Sequence, residues 1–305
     1  MLRSFLTALL HDGRPLALVS ASCFGIITSI ATIAYDGGAS PMTLAVLRAG
    51  VAGFVLALWL RLAGKLFVYA KELPTLLLLA LCNMGISIGV LGSVFFIPVS
   101  LAAIIFYTFP LIIAGANAAF ARRLPSRRES LYFAVAFVGL ALVIGPKFTS
   151  LDWRGIALAC LASLSATGMF LVAERRARHL DDMSVSCQVN LLGALLAGLG
   201  VMFWDAGLFS WPESDLSLGL TIMVCGLYLI AMMAFFPAVR HAGSAKAALV
   251  FNVEPVVSIL GAVLILGEVL SLYQWLGGAL VIGTLVASSL ARRHHAAPPP
   301  PGRPV

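Results

Sequence analysis

The sequence predicts an all-α integral membrane protein of ten transmembrane helices, arranged as two inverted five-helix repeats with both termini in the cytoplasm. Three observations carry that expectation. Hydrophobic residues make up 61% of the 305 and charged residues 11%, with a mean hydropathy of +1.02, whereas a soluble domain carries roughly 25% charged residues. The apolar residues gather into ten runs, each close to the ~20 residues that cross a bilayer as a helix. The basic residues between the runs fall almost entirely on one side. Together these exclude a soluble enzyme, a disordered chain and a secreted disulfide scaffold. The five cysteines, Cys23, Cys82, Cys160, Cys187 and Cys225, all lie inside apolar runs with no CxxC pair, so neither disulfides nor a metal site is expected.

In chain order the first five runs lie near Leu16 to Tyr35, Met42 to Leu62, Pro74 to Phe96, Val99 to Ala121 and Ser130 to Gly145. The second five lie near Trp153 to Ala173, Ser184 to Trp204, Leu216 to Val239, Ser244 to Leu266 and Leu272 to Leu290. Charged residues or Pro/Gly breaks bound each. Only Ile97 and Pro98 separate the third run from the fourth, which predicts a tight helical hairpin. Ahead of them, residues 1–14 form an interfacial N-terminal segment, with Leu2, Phe5, Leu6, Leu9 and Leu10 on one helical face. After them, residues 291–305 form a Pro-rich cytoplasmic tail that cannot continue a helix. His294 and His295 belong to that solvated tail. The two repeats occupy residues 15–150 and 151–290.

Alternating spans place the N-terminus, the loops after spans two, four, six and eight, and the C-terminus on one side. Seventeen of the twenty Lys and Arg residues lie there, against Lys147 and Arg154 on the other side. That asymmetry is the positive-inside pattern and assigns both termini to the cytoplasm, with the plasma (inner) membrane as the expected location. It also accounts for the net charge of +7 without nucleic acid, which is not an expected partner.

Sliding the chain on itself by 145 residues overlays spans three and four on eight and nine. Val94, Ala102, Ala103, Phe106, Pro110 and Ser126 then match Val239, Ala247, Ala248, Phe251, Pro255 and Ser271. Pro110 and Pro255 each fall mid-span, where proline removes a backbone hydrogen bond, kinks the helix and frees the carbonyl four residues earlier, on Phe106 and Phe251. Matched interruptions in two halves point to a transporter binding site. A five-span repeat is odd in number, so the second copy must be inverted.

These residues resemble the EamA-type branch of the drug/metabolite transporter superfamily. The resemblance is carried by Val99-Ser-Leu-Ala-Ala-Ile-Ile-Phe-Tyr-Thr-Phe-Pro-Leu111, by Ala247-Ala-Leu-Val-Phe-Asn-Val-Glu-Pro255 running on to Leu266-Gly-Glu268, and by Arg48 in span two. It covers residues 15–290. Where the first half often carries Gly-Glu at the end of span four, this chain has Arg122-Arg123. The resemblance implies ten spans built as five plus five inverted, and export or exchange of a small metabolite, amino acids foremost.

A charge at mid-bilayer costs roughly 2.5–3.5 kcal/mol on insertion scales, so one that persists usually faces the bundle interior. Among thirteen acidic residues only Glu254 lies at the centre of a span. It is the candidate proton carrier, with packing as its alternative role. Helical spacing places Ala247, Phe251, Glu254, Ser258 and Gly261 on one face of span nine, which is expected to line a cavity. The 145-residue offset also pairs Asn83 with Tyr228 and Tyr107 with Asn252. These four and Glu254 are the candidate substrate-binding residues, and each Asn or Tyr has an alternative as an interhelical hydrogen bond. Arg48 is read as a structural charge pairing with a helix end or a carboxylate. Asn117, Gln188 and Asn190 are expected to be interhelical contacts, Glu268 interfacial, and Gly85-x-x-x-Gly89 a close helix contact.

The leading function is a secondary active transporter rather than an enzyme, needing no cofactor, with a small-molecule substrate and the lipid bilayer as partners and a homodimer as a candidate assembly. A membrane-embedded enzyme acting on a lipid-linked substrate, and a channel, are the alternatives. The first would need a nucleophile within reach of a base, and the second a continuous ring of polar residues.

Overall fold

A computed structural model describes residues 13–65, 69–93, 96–97, 99–122, 127–144, 152–203, 209–266 and 271–293. The expected interfacial segment 1–14 for all but its last two residues, the tail from His294 onward, and Glu268 lie outside the described residues, while the first three residues of the expected non-helical tail, 291–293, continue the last helix. Among those described, all regular structure is helical: α1 (Arg14–Asp36), α2 (Pro41–Leu62), α3 (Leu73–Ser93), α4 (Val99–Phe106), α5 (Phe109–Phe120), α6 (Arg127–Ile144), α7 (Trp153–Arg175), α8 (Asp182–Phe203), α9 (Asp215–Ala242), α10 (Ser244–Phe251), α11 (Val253–Leu266) and α12 (Leu272–Arg293). A short 3₁₀ turn, Ala70–Glu72, leads into α3. Among the described residues each expected apolar run is helical over most of its length, and the fourth and ninth are each broken in two. Eight helical stretches among the described residues are long and apolar enough to cross a membrane, with Ser130–Leu142 in α6 a shorter apolar stretch.

The ends of these helices follow from local chemistry. Ser40 caps α2 by accepting from the Thr43 amide at 3.1 Å, with Pro41 in the first turn, a place where proline's missing N–H costs nothing. Asp152 caps α7 through the Arg154 amide at 2.9 Å, and Ser214 caps α9 through the Ser217 amide at 3.1 Å. Gly243, at φ 83°, lets the chain leave α9 and start α10 with no intervening loop, a conformation that a side chain would strain.

The breaks obey the proline rule. α4 stops at Phe106 and α10 at Phe251, each the residue four before its proline, where the ring would clash with the carbonyl. Tyr107 and Thr108 form the first break and Asn252 the second.

Packing runs through small residues. A Cβ on Gly89 of α3 would stand 2.6 Å from the Leu158 carbonyl oxygen and 2.7 Å from the Ala162 amide of α7, so the expected close contact at Gly85-x-x-x-Gly89 is with α7. The buried Ser20 of α1 donates to the Ala231 carbonyl of α9 at 2.9 Å. The contacts recur when the two halves are exchanged: α1 packs on α9, α10 and α11 as α7 packs on α3, α4 and α5, and α2 packs on α9 as α8 does on α3. The pairs α2–α8 and α6–α12 map onto themselves. Outward stand large apolar side chains such as Leu62, Leu264 and Ile222, as lipid requires.

Polar ties close both ends of the bundle. At one, Thr43 Oγ1 donates to the Ser210 carbonyl at 2.7 Å and Ser217 Oγ to the Ala34 carbonyl at 2.8 Å. At the other, Arg240 reaches Asp182 at 3.1 Å and the Leu180 carbonyl at 3.0 Å, and Gln188 accepts from the Tyr69 amide at 3.2 Å.

Candidate functional site

The two breaks bring polar side chains to the middle of the bundle. Asn83 of α3 donates from Nδ2 to the Tyr228 hydroxyl of α9 at 3.3 Å, joining two residues that the 145-residue offset had matched. Gly193 on α8 leaves Asn83 room: even a Cβ there would stand 3.7 Å from Nδ2. The Tyr228 ring is 2% exposed. The Arg48 guanidinium lies over it, 4.8 Å from the centroid, and Phe24 meets it edge-on at 5.9 Å. That geometry places the cation against the ring's negative face.

Tyr107, in the first break, and Glu254, in the first turn of α11, are electrostatic neighbours. The first-turn position suits a carboxylate, because unpaired N–H groups point towards it. Arg48 acts on the same carboxylate electrostatically. Arg48, read from sequence as a structural charge, lies against the Tyr228 ring and within electrostatic range of Glu254.

Asn252, the repeat equivalent of Tyr107 and 3% exposed, keeps its amide oxygen buried without a hydrogen-bond partner among the described residues. A buried acceptor of this kind is costly unless a donor reaches it. The presumed cavity-lining face of span nine is corrected. Ser29 of α1 donates to the Ser258 carbonyl at 2.9 Å, Thr28 and Ser258 share a hydroxyl contact, and a Cβ on Gly261 would meet Ser29 Oγ at 2.6 Å. Beyond Glu254 that face is packed against α1, whose small residues accept it.

Sequence reasoning missed Thr108 and Ser163. Thr108 Oγ1 donates to the Ile105 carbonyl at 2.7 Å and shares a 2.9 Å bond with Ser163 Oγ on α7, so the end of α4 is satisfied locally. A hydroxyl two residues before a mid-span proline was the available signal. Of the other polar expectations, Asn117 contacts α7 and α10 and Gln188 the segment before α3. Asn190 instead donates within α8 to the Ser186 carbonyl at 2.8 Å.

The profile of the EamA-like transporter family matches residues 13–145 and again 153–290. The chain belongs to this family. Within reach of its EamA-like sequence is the uncharacterized transporter YwfM of Bacillus subtilis (strain 168), 24% identical over 279 residues that cover 90% of this chain and 93% of the relative. A protein crystal structure superposes with a TM-score of 0.74 over 91% of this chain and 98% of its own, at 18% identity, a likeness of fold. This EamA-like chain is thus a multi-pass membrane protein of a transporter family.

Proposed function

We propose that the chain is a secondary active transporter that exports or exchanges small metabolites, amino acids foremost, by alternating access around the two breaks. The carrying observation is that the two halves meet through polar side chains beside the breaks: Asn83 of the first donates to Tyr228 of the second, and Tyr107 of the first neighbours Glu254 of the second. A site built across two halves changes its access when the halves rock against each other. In this reading the ten spans form two inverted repeats, residues 15–150 and 151–290, in the plasma (inner) membrane with both termini cytoplasmic. The exchange-related helix contacts, the double family match and the basic side of the chain support it.

The chemistry suits a zwitterion. Arg48 offers a cation for a carboxylate, while Glu254 and the unpartnered Asn252 oxygen accept from an ammonium group. Glu254 is the residue through which a proton would be exchanged. Counterflow into proteoliposomes with radiolabelled amino acids and other small metabolites tests the reading: selective exchange by the parent, lost in a folded Glu254→Ala protein, is the expected result. No exchange of any solute by the parent would sink it.

A further inference from the structure

A second polar assembly sits at the Arg-rich end of α5, α7 and α10, unused by the central site. Asn117 of α5 donates from Nδ2 to Ser244 Oγ of α10 at 2.9 Å, and Ser244 passes its proton donor on to Glu174 Oε2 of α7. Arg175, next to Glu174, donates to Asn117 Oδ1 at 2.9 Å and closes the circuit. Ser244 is fully buried, and the Arg175 guanidinium lies 3.8 Å over the Phe120 ring. One turn deeper, Phe170 packs against Phe109, Phe251 and Phe235 at 5.4, 5.3 and 5.0 Å between centroids. Through Phe109, 6.1 Å from the Tyr107 ring between centroids, this aromatic cluster reaches the first break.

The assembly is one-sided. Under the 145-residue offset Ala262 stands for Asn117 and Val99 for Ser244, and neither side chain can hydrogen-bond. The ring therefore has no counterpart at the other end. Beside it lies a cavity of about 380 Å³ lined by Asn117, Glu174, Arg175 and Arg178. Arg178 has no ion-pair or hydrogen-bond partner among the described residues, and Arg175 is held by a neutral amide oxygen. A carboxylate binds a guanidinium through charge-assisted, often bidentate bonds, roughly twice as strong as neutral ones.

We propose that the Glu174–Ser244–Asn117–Arg175 ring latches the cytoplasmic side shut, and that the adjoining cavity is a first binding site for a carboxylate-bearing solute, which opens the latch by taking Arg175 from Asn117. This rests on the transporter reading and its cytoplasmic assignment. Arg178 adds the second cation for the carboxylate. Glu174 on the opposite wall favours a solute with an ammonium group and disfavours a dicarboxylate. Losing Arg175 removes the direct tie between α5 and α7, which are then joined only through Ser244 of α10 and can part more easily.

The test places a reporter beneath the ring. Ala247, fully buried and one turn beyond Ser244, is changed to cysteine in a chain whose five native cysteines are replaced by alanine, and its reaction with a membrane-impermeant maleimide is timed in inside-out and right-side-out vesicles. Ser244→Ala, which removes two bonds with little change in volume, is expected to speed labelling about fivefold or more from the inside-out side only. Asn117→Ala serves as a second variant, with gel filtration to establish folding. A mixture of neutral L-amino acids should speed labelling of the Ala247→Cys protein, their methyl esters should not, and Arg178→Ala should lose the response. Unchanged labelling in both ring variants overturns the latch, and equal responses to acids and esters overturn the carboxylate site. Counterflow by the same protein separates either failure from failure of the transporter reading.

Discussion

Gly25 is the point where α1 crosses the start of α11, and adding one methyl group there measures how tightly the site is built. A Cβ at Gly25 would stand 2.6 Å from the Glu254 carbonyl oxygen, 2.8 Å from Val257 Cβ and 3.1 Å from the Ser258 amide. Two of these three atoms are backbone, so none can rotate aside. Moving the nearest contact from 2.6 Å to the ordinary 3.4 Å asks for about 0.8 Å of separation between the helices. Overpacking of this kind costs about 1–3 kcal/mol. Alanine also has a higher helix propensity than glycine by about 1 kcal/mol, which partly masks the cost, so the comparison is made with Gly226→Ala in α9, where a Cβ meets nothing within 4 Å. Gly25→Ala is expected to be about 1–3 kcal/mol less stable than Gly226→Ala, measured by thermal unfolding in detergent followed by tryptophan fluorescence. Because the displaced atom belongs to Glu254, Gly25→Ala should also lose most counterflow at temperatures where it remains folded, whereas Gly226→Ala should keep it. Equal stability of the two variants, with parental transport in both, would refute the contact and the placement of Glu254 that depends on it.

Three further outcomes follow from the same geometry. Tyr228→Phe keeps the ring under Arg48 but removes the acceptor for Asn83. It should cost only about 0.6 kcal/mol of stability, the average for a membrane hydrogen bond, yet slow transport by a larger factor; parallel losses would mean that the pair merely packs. Glu254→Gln should flatten the pH dependence of counterflow, and a profile identical to the parent's would remove Glu254 from proton coupling. The bond and charge of Arg154, with its backbone amide, hold the Asp152 carboxyl below its usual value. A depressed folded pKa means that this stabilisation is present above the unfolded value and is lost as pH falls through the folded one. Asp152→Asn should therefore lower the melting temperature at pH 7, with the gap to the parent closing only in strongly acidic buffer, below the ordinary carboxylate range near ~3.9; a gap that closes already near neutrality would contradict the pairing.

The helices were legible in the sequence because lipid imposes a single requirement on each run, enough apolar length with its backbone bonds satisfied internally. The breaks were legible because proline acts on its own helix, through the carbonyl four residues back, and both helices stop at that residue. The repeat marked Asn83 and Tyr228 as equivalent positions, but that they touch each other is known only from the structure. Contacts between unrelated helices were less legible. Nothing local to Ser258 or Gly261 says that α1 will present Ser29 and Thr28 to them, so a polar stripe that looked like a cavity wall is a packed seam. The contact between Thr108, in the break, and Ser163 on α7 escaped for the same reason, the two being 55 residues apart on separate elements.

The second break shows where the limit lies. Asn252 and Glu254 are two residues apart, and in an unbroken helix their side chains would point about 200° apart around the axis. The helix is not continuous there: α10 ends at Phe251, Asn252 forms the break, and α11 restarts at Val253. The restart puts Glu254 in a first turn, where free N–H groups suit its carboxylate, and turns it towards Tyr107 and Arg48. Asn252, left in the break, keeps its oxygen without a partner. Proline in the sequence announces that a helix stops but not how the next one is rotated, and that rotation decides where each of the two neighbouring polar groups points.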